Sequence, residues 1–290
     1  MIGALVTGLL VAGCTQASLP TADQTSPGSS ASPRPRVSAS SGSSSGSSGS
    51  APSAGSRSGS TSFGLAQAKV PGHPVVVLNP GHDGGNAAAA EEIGRLVPSG
   101  FGQTKPCDTT GAETNSTGYT EHAFNWDVAI RARAILQAHG VTVRLTRSSD
   151  TGVGPCVDER AQIGNEAGVA AVISIHADGA PVDGHGFHVE ECSEQPAGAA
   201  VAALSHSLTV AEHDALLAGS GLTVSSYLGT DGYFPRGDLA GLNLATVPAT
   251  FLEIGNMRND ADAAIQSSAE GRQRIAAAVA AGIIHWLISH

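Results

Sequence analysis

Aromatic side chains are scarce in this chain, 4% of 290 residues, so any core must be built from aliphatic and small residues. Lysine is nearly absent: Lys69 and Lys105 are the only two. With a net charge of −10 and no basic stripe or block, the chain lacks the electrostatic footprint of a nucleic-acid binder. A basic amphipathic helix suited to an anionic membrane surface is also missing. The four cysteines form no CxxC pair, and no Cys-His-Asn arrangement surrounds them, which argues against a thiolate metal site or a cysteine nucleophile.

What is present divides the chain into three parts. Residues 2–12, IGALVTGLLVA, are apolar and uncharged. They are too short to span a bilayer, which takes about 20 residues, and suit a signal-peptide h-region. The following Val11-Ala12-Gly13-Cys14 resembles a bacterial lipobox, so residues 1–14 are expected to be a signal that leaves a lipid on Cys14. Residues 15–69 are rich in Ser, Gly and Pro and are expected to be a disordered tether. A Gly/Ser coil of ~50 residues has an r.m.s. reach of roughly 40 Å. Residues 70–290 carry the folded domain. In an exported protein, Cys107 and Cys156, both in Pro-flanked loop contexts, are the expected disulfide, leaving Cys192 as a lone thiol.

Strand and helix patterns alternate through that domain. Apolar runs predict buried strands over residues 75–79 and 170–175; residues 141–146 and 250–254 read as further strands, with a short alternating one at 186–190. Helices are predicted over 121–139, 157–167, 197–217 and 267–289, the last opened by a capping box at Ser267 and Glu270. The order implies a single α/β domain: a mostly parallel or mixed central sheet of about six strands, with helices on both faces. Residues 83–120 show little periodicity and read as one long loop, expected to shape or cover part of a cleft.

Four polar residues stand at the ends of these elements. His82 closes VVVLNPGH, His176 closes AAVISIH, Glu253 closes ATFLE, and Glu121 opens the first long helix. Strand ends are where α/β folds collect chemistry. Two His and one carboxylate make a common three-ligand zinc shell with an open fourth position, and a further carboxylate can then serve as general base. A carboxylate ending a buried strand, as Glu253 does, must be paired, metal-bound or shifted in pKa. Glu121 has a plainer explanation in the helix dipole.

These residues lie within blocks that resemble the zinc-dependent N-acetylmuramoyl-L-alanine amidases, the amidase_3 family of cell-wall hydrolases. The blocks run in order: NPGH ending at His82, the helix opened by Glu121, GVTVRLTRSSD at 140–150, DERAQIGN at 158–165, ISIHADG at 173–179, GFHV at 186–189 and PATFLEIGNMRN at 248–259. The resemblance implies one zinc ion held by His82, Glu121 and His176. Glu253 would activate the attacking water and then protonate the leaving amine. It also implies hydrolysis of the amide between N-acetylmuramic acid and L-alanine of peptidoglycan stem peptides. The expected setting is an exported, lipid-anchored monomer facing the cell wall. Asn256 and Asn259 are expected to shape a loop. Arg147 and Arg160 are expected to pair internally with Asp150 or Asp158. Asp178 is either a partner that orients a ligand histidine or a turn residue, and His122 or His188 could exchange roles with an assigned ligand. Two other readings stay open: a zinc peptidase acting within the stem peptide, and a non-catalytic wall-binding lipoprotein.

Overall fold

The computed structural model describes residues 69–290. The expected signal segment, the lipidation site Cys14 and the tether up to residue 68 lie outside those residues. Within them, strands β1 (Val75–Pro80), β4 (Thr142–Leu145), β5 (Val169–Asp178), β6 (His188–Glu190) and β7 (Ala249–Asn256) form one sheet in the order β4-β1-β5-β7-β6. The first four strands in that order run parallel, and β6 closes one edge antiparallel to β7. The five strands foreseen from the sequence are the five of this sheet; a sixth does not join it among the described residues.

Side chains alternate across the sheet. Leu78, Ile173, Ile175, Leu252 and Ile254 face one layer of helices, α2 (Glu121–Ala138), α4 (Ala199–Gly219) and α7 (Ala269–Ser289). Val77, Val172 and Phe251 face the other, where α3 (Val157–Gly164) and the short α5 (Ala240–Asn243) pack. With so few aromatics the first core relies on close approach: Ala129, Ala132, Ala276 and Ala280 are fully buried. Among the described residues no helix is long and apolar enough to cross a membrane.

Two expectations need correction. The segment 83–120 is not a bare loop. It holds a short helix α1 (Ala90–Ile93) and an antiparallel hairpin of β2 (Leu96–Gly100) and β3 (Gln103–Pro106). The hairpin escapes pattern reading because Val97 is the one hydrophobic residue that its two strands bury, and Pro98 interrupts the run. It is held instead by the Cys107–Cys156 disulfide and by Asn243 Nδ2, which donates to the Ser99 carbonyl at 2.9 Å. The last helix starts at Ala269 rather than Ser267, and its cap shifts by one residue. Ser267 ends a separate helix, α6 (Asp260–Ser267), and Ser268 caps α7 by accepting from the Gly271 amide at 2.9 Å.

Candidate metal centre and cleft

The site forms at the C-terminal ends of β1, β5 and β7, on the sheet face shared by Val172 and Phe251. Period-2 alternation carries that face from Val172 through Ser174 to His176, and from Phe251 to Glu253. Parallel pairing of β5 with β7 sets His176 directly beside Glu253. Both residues lie inside their strands rather than at the ends, since β5 continues to Asp178 and β7 to Asn256.

His82 arrives from the turn after β1 with a left-handed backbone, φ 58°, which is uncommon for a residue with a Cβ and marks a site held by its surroundings. The preceding Gly81 is required by contact: a Cβ there would stand 1.9 Å from the His176 ring. Glu121 opens α2, and its side chain reaches between the two histidines. Its Oε1 lies 3.2 Å from His82 Nε2 and 2.8 Å from His176 Nδ1. The backbone amide of Ala112 donates to its Oε2 at 2.8 Å. One donor atom from each of His82, Glu121 and His176 lies within 4.8 Å of the others, the one such group of His, Cys, Asp and Glu among the described residues.

The supports behind these side chains decide their orientation. His82 Nδ1 is 3.0 Å from the Thr109 carbonyl and 3.1 Å from Asp108 Oδ1. A carbonyl can only accept, so Nδ1 carries a proton and Nε2 is the ring nitrogen turned toward Glu121 Oε1. Asp108 in turn accepts from Arg160 Nη2 at 3.1 Å. The Arg160 guanidinium also donates to the Pro80 and His82 carbonyls, pinning the turn that delivers His82. Arg160 is therefore internal, as expected, but its partner is Asp108 rather than Asp158. Arg147 pairs with Asp150 at 2.9 Å and donates to the His122 carbonyl.

The remaining alternatives resolve by geometry. His122 Nδ1 bonds Asp150 at 3.0 Å and takes no part in the cluster. His188 is fully buried and paired in register with Glu253, with Nε2 3.3 Å from Glu190 Oε1 but without hydrogen-bond alignment. It too stays outside the cluster. The Asp178 carboxylate, at the last residue of β5, accepts from the Gly179 amide at 2.6 Å; the histidine-orienting part falls to Asp108. Asn256 holds the Pro181 and Gly184 carbonyls, and Asn259 holds the Val182 carbonyl and caps α6, so both shape the loop as expected. Cys192 is half-buried, and burial pushes its thiol up, away from the lowered range of an activated thiolate.

Electrostatics separates the two glutamates. Burial works against ionising Glu121, but His82 and His176 outweigh it and hold the carboxyl well below the usual range. Burial likewise pulls His82 down, yet Glu121 and Asp108 together push it up to about 10. His176 shares only Glu121 and stacks on Phe251 with ring centroids 4.3 Å apart; there burial prevails and its pKa falls. Glu253 goes the other way. Burial raises its carboxyl well above the ordinary range, and the neighbouring Glu121, Glu190 and Asp178 add to that. Its Oε2 has no hydrogen-bond partner among the described residues. Such a group is suited to carrying a proton in either direction.

A cleft of about 460 Å³ opens over this floor. The 83–120 segment forms one wall through Lys105 to Ala112, and the turns carrying Asp178, Arg236 and Arg258 form much of the rest. Asp108, Arg236 and Arg258 were not singled out in advance. Their signal is tertiary: the disulfide ties Cys107 and the adjoining Asp108 to Cys156, ahead of the helix that carries Arg160, and the chain gives no local pattern for the other two.

A family model described as N-acetylmuramoyl-L-alanine amidase, Amidase_3, matches residues 76–285. The N-acetylmuramoyl-L-alanine amidase Rv3717 of Mycobacterium tuberculosis is 47% identical over 213 residues, covering 73% of this chain and 86% of that protein. The crystal structure of the N-acetylmuramyl-L-alanine amidase Ami1 from Mycobacterium smegmatis is 44% identical, with a TM-score of 0.72, covering 77% of this chain and 100% of that one. Ami1 from Mycobacterium abscessus, in its apo form, is 43% identical with a TM-score of 0.70, over 74% of this chain and 98% of that one. The fold and the blocks read from the sequence agree with this likeness along most of the described residues, and the chain belongs to the Amidase_3 family of N-acetylmuramoyl-L-alanine amidases.

Proposed function

We propose that the chain hydrolyses the amide joining the lactyl group of N-acetylmuramic acid to L-alanine of peptidoglycan stem peptides, using one zinc ion held by His82, Glu121 and His176 and the carboxyl of Glu253. The observation that carries the reading is the convergence of His82 Nε2 and His176 Nδ1 on Glu121 Oε1, with Glu253 paired beside His176 on the same sheet face. Two imidazoles and a carboxylate are the donor set zinc favours in hydrolases. Bound there, zinc would supply Lewis acidity to the scissile carbonyl and to the attacking water.

The protein's own part is positional and protonic. Asp108 and the Thr109 carbonyl fix the His82 ring so that Nε2 faces the cleft. Oε2 of Glu253 takes the proton of the attacking water and returns it to the departing L-alanine nitrogen. Burial and the nearby carboxylates make the neutral form of Glu253 accessible, which the second half of that shuttle needs. Such proton transfer contributes roughly 10²–10⁴-fold. Export is supported by the signal-like residues 2–12, and a lipid on Cys14, with the 15–69 tether, would hold the monomeric domain near the wall.

Digestion of muropeptides with added zinc and with chelator, read by mass spectrometry, tests the reading. Zinc-dependent release of intact stem peptides with free L-alanine amino ends is the expected outcome. Cleavage inside the stem peptide would replace the amidase with a peptidase. Tight binding without turnover by metal-loaded protein would replace it with a wall-binding role.

A further inference from the structure

Four cationic side chains line the cleft: Lys105, Arg160, Arg236 and Arg258. Arg160 is neutralised by Asp108, and Arg236 by Glu190 and Asp238. Lys105 gives its ammonium to the Asp238 carbonyl at 3.1 Å. Arg258 differs. It is exposed, and no carboxylate among the described residues lies within the 4.0 Å of an ion pair.

Its position is nonetheless fixed. The Arg258 amide donates to Asn256 Oδ1 at 3.0 Å, and its carbonyl accepts from Asn115 Nδ2 at 3.2 Å. The guanidinium lies over Gly179, in the turn that follows His176. A Cβ on Gly179 would stand 3.4 Å from Arg258 Nε and 2.9 Å from Ala112 Cβ, so this bank has room for the arginine and for nothing larger than hydrogen beneath it. The chain carries a net charge of −10, so a cleft-lining cation without a carboxylate partner stands out. An uncompensated guanidinium on an anchored backbone at the rim favours a carboxylate there, which it can grip with two parallel bonds.

We propose that Arg258 is a specificity-determining residue that binds the α-carboxylate of D-glutamate in the stem peptide, so that a free acid at that position is preferred over its amide. The inference rests on the amidase reading. In such a substrate the muramic lactyl carboxyl is consumed in the scissile amide, so the carboxylates belong to the peptide. The D-glutamate α-carboxylate is the first beyond L-alanine.

The test compares N-acetylmuramoyl-L-alanyl-D-glutamate with N-acetylmuramoyl-L-alanyl-D-isoglutamine, using the zinc-loaded full chain, Arg258→Gln and Arg258→Lys. Expected is a KM about tenfold lower for the acid with similar kcat, a ratio that falls to about one in Arg258→Gln and partly returns in Arg258→Lys. Calorimetric Kd values for the same pair on a Glu253→Gln background should follow the same pattern without turnover. Equal KM values for the two substrates in the parent protein, or an unchanged ratio in Arg258→Gln, would overturn the inference and leave the amidase standing. Hydrolysis of neither substrate by the parent protein would overturn the amidase reading and the inference with it.

Discussion

Two glutamates in this protein, one half-buried in the cleft and one fully buried between helices, have carboxyl groups pushed well above the ordinary range, for different reasons. Glu253 sits on the cleft floor, where burial is joined by Glu121, Glu190 and Asp178, with Arg236 opposing them. Glu212 sits between α4 and α7, where burial alone acts and neither oxygen has a hydrogen-bond partner among the described residues. A Cβ on Gly282 of α7 would stand 2.8 Å from its Oε1, so the helices close over it. The first carboxyl is surrounded by groups that a ligand or metal would rearrange, and the second by nothing that responds. A raised pKa identifies chemistry only where the cause includes other functional groups and a cleft reaches the atom.

The sharpest way to break this comparison is at the cleft. Glu253→Gln should lower kcat by roughly 10²–10⁴-fold while zinc content, measured by elemental analysis, stays at the parent level. His176→Ala should lose both zinc and turnover. Hydrolysis surviving in Glu253→Gln would mean that the proton carrier is another group.

A second experiment probes what keeps the cleft in shape. The disulfide closes a loop across a sequence separation of 49 residues, and its removal by Cys107→Ser with Cys156→Ser should cost up to about 4 kcal/mol on the chain-entropy account. Denaturant unfolding measures it; an unchanged midpoint would show the hairpin to be held by its other contacts, such as that of Asn243 with Ser99.

Asp108→Asn should weaken zinc binding by about 10–100-fold, because the carboxylate behind a ligand histidine fixes its ring and raises its basicity. Competition with a fluorescent chelator measures this, and an affinity within twofold of the parent would leave the Thr109 carbonyl as sufficient support.

The smallest effect belongs to Glu212→Gln and carries a definite sign. The folded state keeps a proton on Glu212 that the unfolded chain releases above about pH 4.3. The unfolded state then binds fewer protons, so stability falls as pH rises through that window toward the folded pKa. Glu212→Gln removes this loss. Its Tm should match the parent near pH 4 and exceed it increasingly as pH rises above that, by roughly 2–4 °C for each kcal/mol recovered. A Tm difference independent of pH would show that Glu212 is ionised in the folded protein.

How far the sequence leads can be followed through particular residues. Glu253 and His176 were legible because each is a polar residue in a run that is otherwise apolar, and a parallel strand covered on both faces makes that contrast visible. His82 was legible from the glycine before it. The exchange of His122 and His188 with the candidate ligands His82 and His176 could not be settled locally, because histidines adjoining strands or helix starts look alike until packing points each ring. The hairpin of β2 and β3 was invisible because its order comes from a disulfide and a remote asparagine rather than from an apolar face.

Sequence alone thus marked the five strands of the sheet, the main helices to within a few residues, and four polar residues that the fold brings together at the candidate centre, since hydrophobic periodicity and its interruptions are local properties. Tertiary structure decided that Asp108 backs His82, that Arg160 joins Asp108 rather than Asp158, and that Glu190, Asp178 and Glu121 crowd Glu253. Those relations depend on strand register and on a covalent bridge between distant segments, which no short window of sequence encodes.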